Sequence, residues 1–237
     1  EGERFEHLIP ATIEPPVNAD IDVLYEDDWL VIVNKPAPLP MHPCGRFNRN
    51  SLQYILNEVY KDMYLRMAHR LDASTSGVTV FCQTRDVARF VQPQFATRQV
   101  EKVYVARVVG QPSEKEFSCS APISVEPGDN GLRVSREDGQ SAETHFTTLE
   151  RFGDGTSLVE ARPVTGRTNQ IRLHLWHLGL PICGDPIYLP NGITGAGQTP
   201  DVGERPLCLH SRSIQFVHPK SKEPIVFEAP LPGWSRE

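Results

Sequence analysis

The stretch that most constrains this chain is Leu71 to Cys82, where a lone carboxylate, Asp72, stands five residues ahead of the apolar run Gly77-Val78-Thr79-Val80-Phe81-Cys82. The run reads as a buried β-strand, so Asp72 is expected on the turn that leads into it, between two strands. A carboxylate fixed in a low-dielectric turn is costly unless it is paired or working. The plain alternative is a turn cap, with the carboxylate accepting the amides of Ser74 and Thr75.

Around that strand the chain punctuates itself clearly. Ile21 to Tyr25 and Leu30 to Asn34 are apolar runs separated by Glu26-Asp27-Asp28-Trp29, which predicts a hairpin. Residues Ser51 to Tyr64 place Leu52, Ile55, Leu56, Val59 and Met63 on one face, the spacing of an amphipathic helix capped by Asn50 or Ser51. A second helix is expected over Arg85 to Thr97, kinked or interrupted by Pro93. Lys102 to Val109, Ala142 to Glu150, Thr156 to Pro163, Leu207 to Phe216 and Glu223 to Glu228 predict strands, and Gly128 to Gly139 and Pro190 to Gly203 predict loops. Many strands and few helices, grouped and not alternating, predict an α+β fold with a mostly antiparallel sheet. Residues 1–20, with Pro10, Pro15 and Pro16 and no sustained period, predict an extended arm ahead of a folded domain over 21–237.

Composition narrows the function classes. A 237-residue chain with 39% hydrophobic residues can bury a sizeable core. It has no apolar run of the length needed to cross a membrane and does not open on a secretory signal. The five cysteines are odd in number and scattered, the pattern of reduced thiols in a cytoplasmic protein. The chain starts on Glu1 and not Met, so a fragment or a catalytic domain cut from a longer protein is expected. The net charge of −6 argues against nucleic acid until its distribution is read. Residues 1–28 hold nine acids and one base, whereas residues 29–100 hold nine bases and four acids. A basic cleft within an acidic whole is therefore expected.

The string His69-Arg70-Leu71-Asp72-Ala73-Ser74-Thr75-Ser76-Gly77 resembles the signature of the RluA-type pseudouridine synthases, which isomerise uridine in RNA and whose pattern is His-Arg-Leu-Asp-x-x-Thr-Ser-Gly. Further stretches follow the family's order: Val33-Asn34-Lys35-Pro36, Glu101 to Val108 around Tyr104, Val164-Thr165-Gly166-Arg167-Thr168-Asn169-Gln170-Ile171-Arg172-Leu173-His174, Gly184-Asp185-Pro186-Ile187-Tyr188 and Leu209-His210-Ser211. The resemblance spans about Ile21 to Pro232. It implies the synthase catalytic fold, with flanking helices and a central cleft, acting on rRNA or tRNA as a monomer without metal or organic cofactor.

The resemblance also assigns roles. Asp72 would act on the sugar, as nucleophile on the anomeric carbon or as base on the neighbouring carbon. Arg172 would pair with it, one turn into a helix that Thr168 caps and Gly179 closes, with Ile171, Leu175 and Leu178 as its apolar stripe. An arginine that close favours the ionised carboxylate. Tyr104 would stack on uracil and move a proton at the ring carbon that receives the sugar. Arg70 would fill the space left by the extruded base or hold the neighbouring phosphate, and Arg167 and Gln170 would position substrate or backbone. The family usually has His where this chain has Asn169, and commonly glycine within Asn34-Lys35-Pro36-Ala37-Pro38-Leu39 where this chain has proline.

Three rivals remain on sequence. A hydrolase lacks Gly-x-Ser-x-Gly and gives Ser74 or Ser76 no local partner beyond His69. A metal site at His174-x-x-His177 has no supporting Glu or Cys nearby. A catalytically idle RNA-binding relative would have no use for a carboxylate facing phosphate-rich RNA.

Overall fold

The computed structural model describes residues 13–126, 128, 132–195, 199 and 201–236. Its centre is one mixed sheet of ten strands: β1 (Asp22–Glu26), β2 (Leu30–Lys35), β3 (Arg66–Met67), β4 (Ser76–Cys82), β5 (Glu101–Val109), β6 (Glu116–Cys119), β7 (Thr144–Arg151), β8 (Thr156–Pro163), β9 (Leu209–Val217) and β10 (Pro224–Glu228). The path across it runs β1-β2-β4-β9-β5-β8-β7-β6, with β10 on β9 and β3 on β4. Three helices flank the sheet: α1 (Leu52–Val59), α2 (Arg85–Ala96) and α3 (Gln170–His177). The arrangement is α+β, and every strand pair is antiparallel except β4 with β9.

That exception joins two half-sheets and explains the glycine at the end of the signature. Ser76 pairs with His210 and Gly77 with Ser211. Gly77 has φ +112°, and a Cβ there would lie 2.2 Å from the Ser211 carbonyl oxygen, so only glycine lets the two backbones meet.

Each half-sheet has its own core. On one side Leu30 and Ile32 of β2 and Val78 and Val80 of β4 pack on Val87, Ala88 and Val91 of α2, while Val31, Val33 and Phe81 face Leu52 and Leu56 of α1. Strands covered on both faces carry apolar residues continuously, which is why Leu30 to Val33 reads as a run and not an alternation. On the other side Ala106, Val108, Phe146, Val159 and Ala161 pack on Ile171 and Leu175 of α3. Tyr104 packs against the clusters of both halves and so stands where they meet.

Several elements differ from expectation. The first helix stops at Val59, and Val59 and Met63 are exposed, because Tyr60 leaves helical geometry (φ −97°, ψ 56°). Ser51 occupies its N-cap, but the hydroxyl donates to the Asn48 carbonyl and caps nothing. Pro93 does not interrupt α2: it lies exposed one turn before the end, where a single lost backbone bond is tolerated. The N-cap of α3 is Asn169 in left-handed conformation (φ 57°), not Thr168. Gly179 does close that helix, its N–H bonding the Trp176 carbonyl and Leu180 N–H the Leu175 carbonyl in a Schellman pattern. Leu178 is exposed and leaves the expected stripe. Parts of the loops expected over 128–139 and 190–203, and the first 12 residues of the expected arm, lie outside the described residues. The rest of the arm is extended and docked: the Glu14 carboxylate accepts the amides of Asn48, Arg49 and Asn50 at 2.8–3.0 Å.

Candidate active site

Between the signature turn and the segment 163–172 lies a cleft of about 440 Å³, lined by Arg70, Asp72, Lys102, Tyr104, Arg167 and Arg172 among others. Asp72 reaches it from the turn between β3 and β4. That turn is closed by backbone, Thr75 N–H donating to the Asp72 carbonyl at 3.0 Å. The carboxylate itself takes no bond from Ser74 or Thr75 among the described contacts, so turn capping does not account for it. Its Oδ2 lies 3.4 Å from Nη1 of Arg172, with the Asp72 side chain 36% exposed and that of Arg172 6%.

Arg172 is anchored from behind. Its Nε and Nη2 donate to the two carboxylate oxygens of Asp185, each at 2.7 Å, and the Asp185 side chain is wholly buried. Asp185 Oδ1 also accepts the amides of Ile187 and Tyr188 at 2.8 and 3.0 Å. The remaining arm, Nη1, is shared between Asp72 and Asn169 Oδ1, the latter at 3.2 Å. Burial opposes the guanidinium charge, but the bonds to Asp185 and the charges of Asp185 and Asp72 more than offset it and raise the Arg172 pKa. The cation is fixed from one carboxylate and presented to another.

A second buried cation fixes the turn. Lys35 is fully buried, and its Nζ donates to the carbonyls of Pro36, Leu39 and Ala73 at 3.0, 2.8 and 3.1 Å. Burial pulls its pKa down to about 7, with the Asp72 charge pulling the other way. Because Ala73 follows Asp72, the lysine pins the backbone that carries the carboxylate.

Tyr104 projects from β5 into the cleft. Its phenol is pushed up to about 12, first by burial, with Ser211 working against the rise and the Asp72 charge adding to it. Arg70 is exposed at the cleft wall, and Arg167, whose Nε donates to the Ser141 carbonyl at 3.3 Å, lines the opposite side. Gln170 is buried beneath: its Oε1 accepts from Thr165 Oγ1 and Arg167 N, and its Nε2 donates to the Glu143 carbonyl and Thr144 Oγ1. All four of its hydrogen-bonding positions are occupied, so it shapes the 165–167 backbone and presents no free amide to a ligand. Asn169 meets a local requirement at its position, since asparagine tolerates the left-handed backbone and its short amide reaches Arg172.

Sequence reasoning brought together Asp72, Arg172 and Tyr104 and passed over Asp185 and Lys35 as functional groups. The available signal was the type of residue: a charged side chain in the apolar stretches Pro181 to Tyr188 and Leu30 to Pro36 is rare unless paired. The rival constellations dissolve. His174 is fully buried with Nδ1 on Thr144 Oγ1 (2.9 Å) and Nε2 on the Ala121 carbonyl (3.0 Å), leaving no nitrogen for a metal. The His69 ring, held near 3 by burial, stacks on Phe95 at 4.6 Å. Ser76 faces His210 instead, at 2.8 Å, outside the cleft and with no carboxylate on the far nitrogen. Among the described residues no group of three or more His, Cys, Asp or Glu is placed to hold a metal, and no helix is long and apolar enough to cross a membrane.

The comparisons with known proteins agree with this geometry. Residues 29–177 match the family described as RNA pseudouridylate synthase. The chain is 38% identical to ribosomal large subunit pseudouridine synthase D of Xanthomonas campestris pv. campestris over 228 residues, 92% of this chain and 68% of that protein. It is 43% identical to pseudouridylate synthase RPUSD2 of Mus musculus over 176 residues, 74% of this chain, and spans about a third (32%) of that protein's length. The solved structure of human RNA pseudouridylate synthase domain containing 4 superposes with a TM-score of 0.72 at 30% identity, covering 90% of each chain. With the signature turn, the arginine behind it and the fold around both accounted for, the chain belongs to the RNA pseudouridylate synthase family.

Proposed function

We propose that this chain isomerises uridines to pseudouridine in structured RNA, either rRNA or tRNA, with Asp72 as the essential carboxylate and residues 21–237 as the catalytic domain. The observation that carries the reading is the pairing of a half-exposed Asp72 with a buried, anchored Arg172 at the floor of a cleft. Besides Asp72, the charged side chains that line this cleft are the cations Arg70, Lys102, Arg167 and Arg172, a local excess that suits phosphate despite the net charge of −6. The continuity of one sheet from β1 to β10 supports the domain assignment.

The reaction breaks the bond from the anomeric carbon to ring nitrogen N1, turns the base and rejoins it through C5; N1 gains a proton and C5 loses one. No atom is added and no electron is transferred to another molecule. Asp72 either attacks the anomeric carbon or removes the proton from the neighbouring carbon; Arg172 balances the carboxylate's charge up to that step, in which the negative charge passes to the departing uracil. The flat ring of Tyr104 can hold the detached uracil. Its phenol, protonated at neutral pH, can take up the C5 proton only while passing its own on, which makes it a relay and not a ready-made base. Arg70 occupies the space of the extruded base or the adjoining phosphate, Arg167 borders the entering strand, and Gln170 holds the 165–167 backbone in place.

A relative that binds RNA without turning it over would use the same cations. It would not need a carboxylate held half-open among them, at a place where it repels phosphate. Mapping pseudouridine in total RNA from cells with and without the protein decides the matter: sites lost with the protein and restored by it support the enzyme, and an unchanged map with RNA still bound supports the idle relative.

A further inference from the structure

Among the described residues, one half-buried cation in the cleft has no protein counterpart. Lys102 precedes Tyr104 by two residues on β5, so both side chains leave the same face of the strand and both line the cleft. Lys102 is half-buried, yet among the described residues its ammonium makes no ion pair and no hydrogen bond. Its electrostatic neighbours among the described residues are Arg98 and the neutral His69, neither of them an anion. Burial, and then the Arg98 charge, lower its pKa. The ammonium stands over the backbone of Gly166, 3.5 Å from where a Cβ would be, so the absence of a side chain at Gly166 leaves the space in front of it open. Every other buried cation of the site is held: Arg172 by Asp185, Lys35 by three carbonyls.

A half-buried cation without an anion is a liability to the free protein. The tyrosine two residues away is proposed to hold the uracil, so an anion at Lys102 would lie within a nucleotide's reach of the reacting base. We infer that Lys102 and the open backbone at Gly166 form an anion subsite that receives one phosphodiester of the RNA strand beside the target uridine. The inference rests on the reading of the cleft as a uridine site. Bound there, the phosphate supplies the missing charge and fixes the register of the strand against Tyr104 and Asp72. The mutual desolvation makes the contact stronger than one between exposed groups.

The test uses the whole chain, a substrate RNA found by pseudouridine mapping, and the variants Lys102→Met and Lys102→Arg. Because the Lys102 ammonium makes no bond in the free protein among the described residues and burial opposes its charge, Lys102→Met, which keeps an apolar stem, is expected to melt at the wild-type temperature or above it. Its KM for RNA should rise roughly tenfold, as loss of one charge-assisted contact implies, with the larger effect on KM and not on kcat. The slope of log K against log salt should fall by about 1, and Lys102→Arg should restore most of the affinity. Neutral methylphosphonate linkages placed one at a time around the target uridine should weaken wild type at a single position, and at that position wild type and Lys102→Met should become equal. Equal KM values for wild type and Lys102→Met on the native RNA, or a methylphosphonate scan in which no single linkage removes their difference, would overturn the subsite. A lower melting temperature for Lys102→Met would make the lysine structural. If wild type itself forms no pseudouridine, the enzymatic reading fails before the subsite is reached.

Discussion

Arg172 and Asp185 form a two-bonded ion pair sealed from solvent, 13 residues apart in sequence, and the arm of the arginine that this pair leaves over is the one that meets Asp72. Removing one partner of a buried pair costs more than the pair contributes, since the other charge is stranded. Asp185→Asn keeps an acceptor for the Ile187 and Tyr188 amides but loses the charge. It is expected to lower stability by about 3 to 5 kcal/mol in urea unfolding and to lower kcat at least tenfold, because an unanchored Arg172 closes onto Asp72.

Gly77→Ala should be among the most damaging changes of one methyl group. The φ of +112° disfavours any side chain, and the added carbon meets the Ser211 carbonyl at 2.2 Å, so the parallel junction of the two half-sheets must part. A loss of more than about 3 kcal/mol in thermal or chemical unfolding is expected. Alanine placed at Gly153, where no atom lies within 4 Å, should be tolerated.

The acid limb of the stability curve should carry the mark of buried histidine. Burial holds His69 neutral down to about 3 and His210 down to about 4, while in the unfolded chain both protonate near 6.5. Across that window the unfolded state binds the protons that the folded state refuses. Their contribution is therefore complete above about pH 6.5 and falls as pH drops towards 4, by up to about 1.4 kcal/mol per pH unit for each ring. His69→Gln keeps an acceptor near Val80 N–H and does not titrate, so unfolding free energies measured from pH 4 to 7 should show a shallower slope than wild type.

Tyr104→Phe preserves the ring and deletes the hydroxyl. If the phenol relays the C5 proton, the variant should bind RNA normally and release or trap uracil-bearing intermediates without completing isomerisation. Single-turnover assays should show a fall in the chemical step of at least a hundredfold. Loss of RNA affinity with an unchanged chemical step would reduce Tyr104 to a stacking surface.

What could be read ahead in the sequence follows the range of the interactions concerned. The strands over 30–35 and 76–82 are visible because a strand buried on both faces carries a nearly continuous apolar run. Asp72, Tyr104 and Arg172 are visible because each sits in a short pattern that the family resemblance marks. The parallel contact of β4 with β9 brings Gly77 to Ser211, and no local pattern encodes a pairing of that separation. Asp185 as the anchor of Arg172 is hidden for the same reason. Thr168 and Asn169 are adjacent and both are acceptable N-caps, so cap preference alone does not choose between them; the left-handed backbone and the contact with Arg172 place the cap at Asn169. The short strands β3 and β6, of two and four residues, carry too little sequence to show a period.

The central claim is that the carboxylate at position 72 performs the chemistry and does not serve only to position RNA. The direct measurement is pseudouridine formation by Asp72→Asn on a mapped substrate RNA, run beside a binding assay with the same RNA. The account predicts no detectable pseudouridine, with RNA affinity equal to or tighter than wild type because a negative charge has left a cleft lined by cations. Turnover within tenfold of wild type by Asp72→Asn would contradict it.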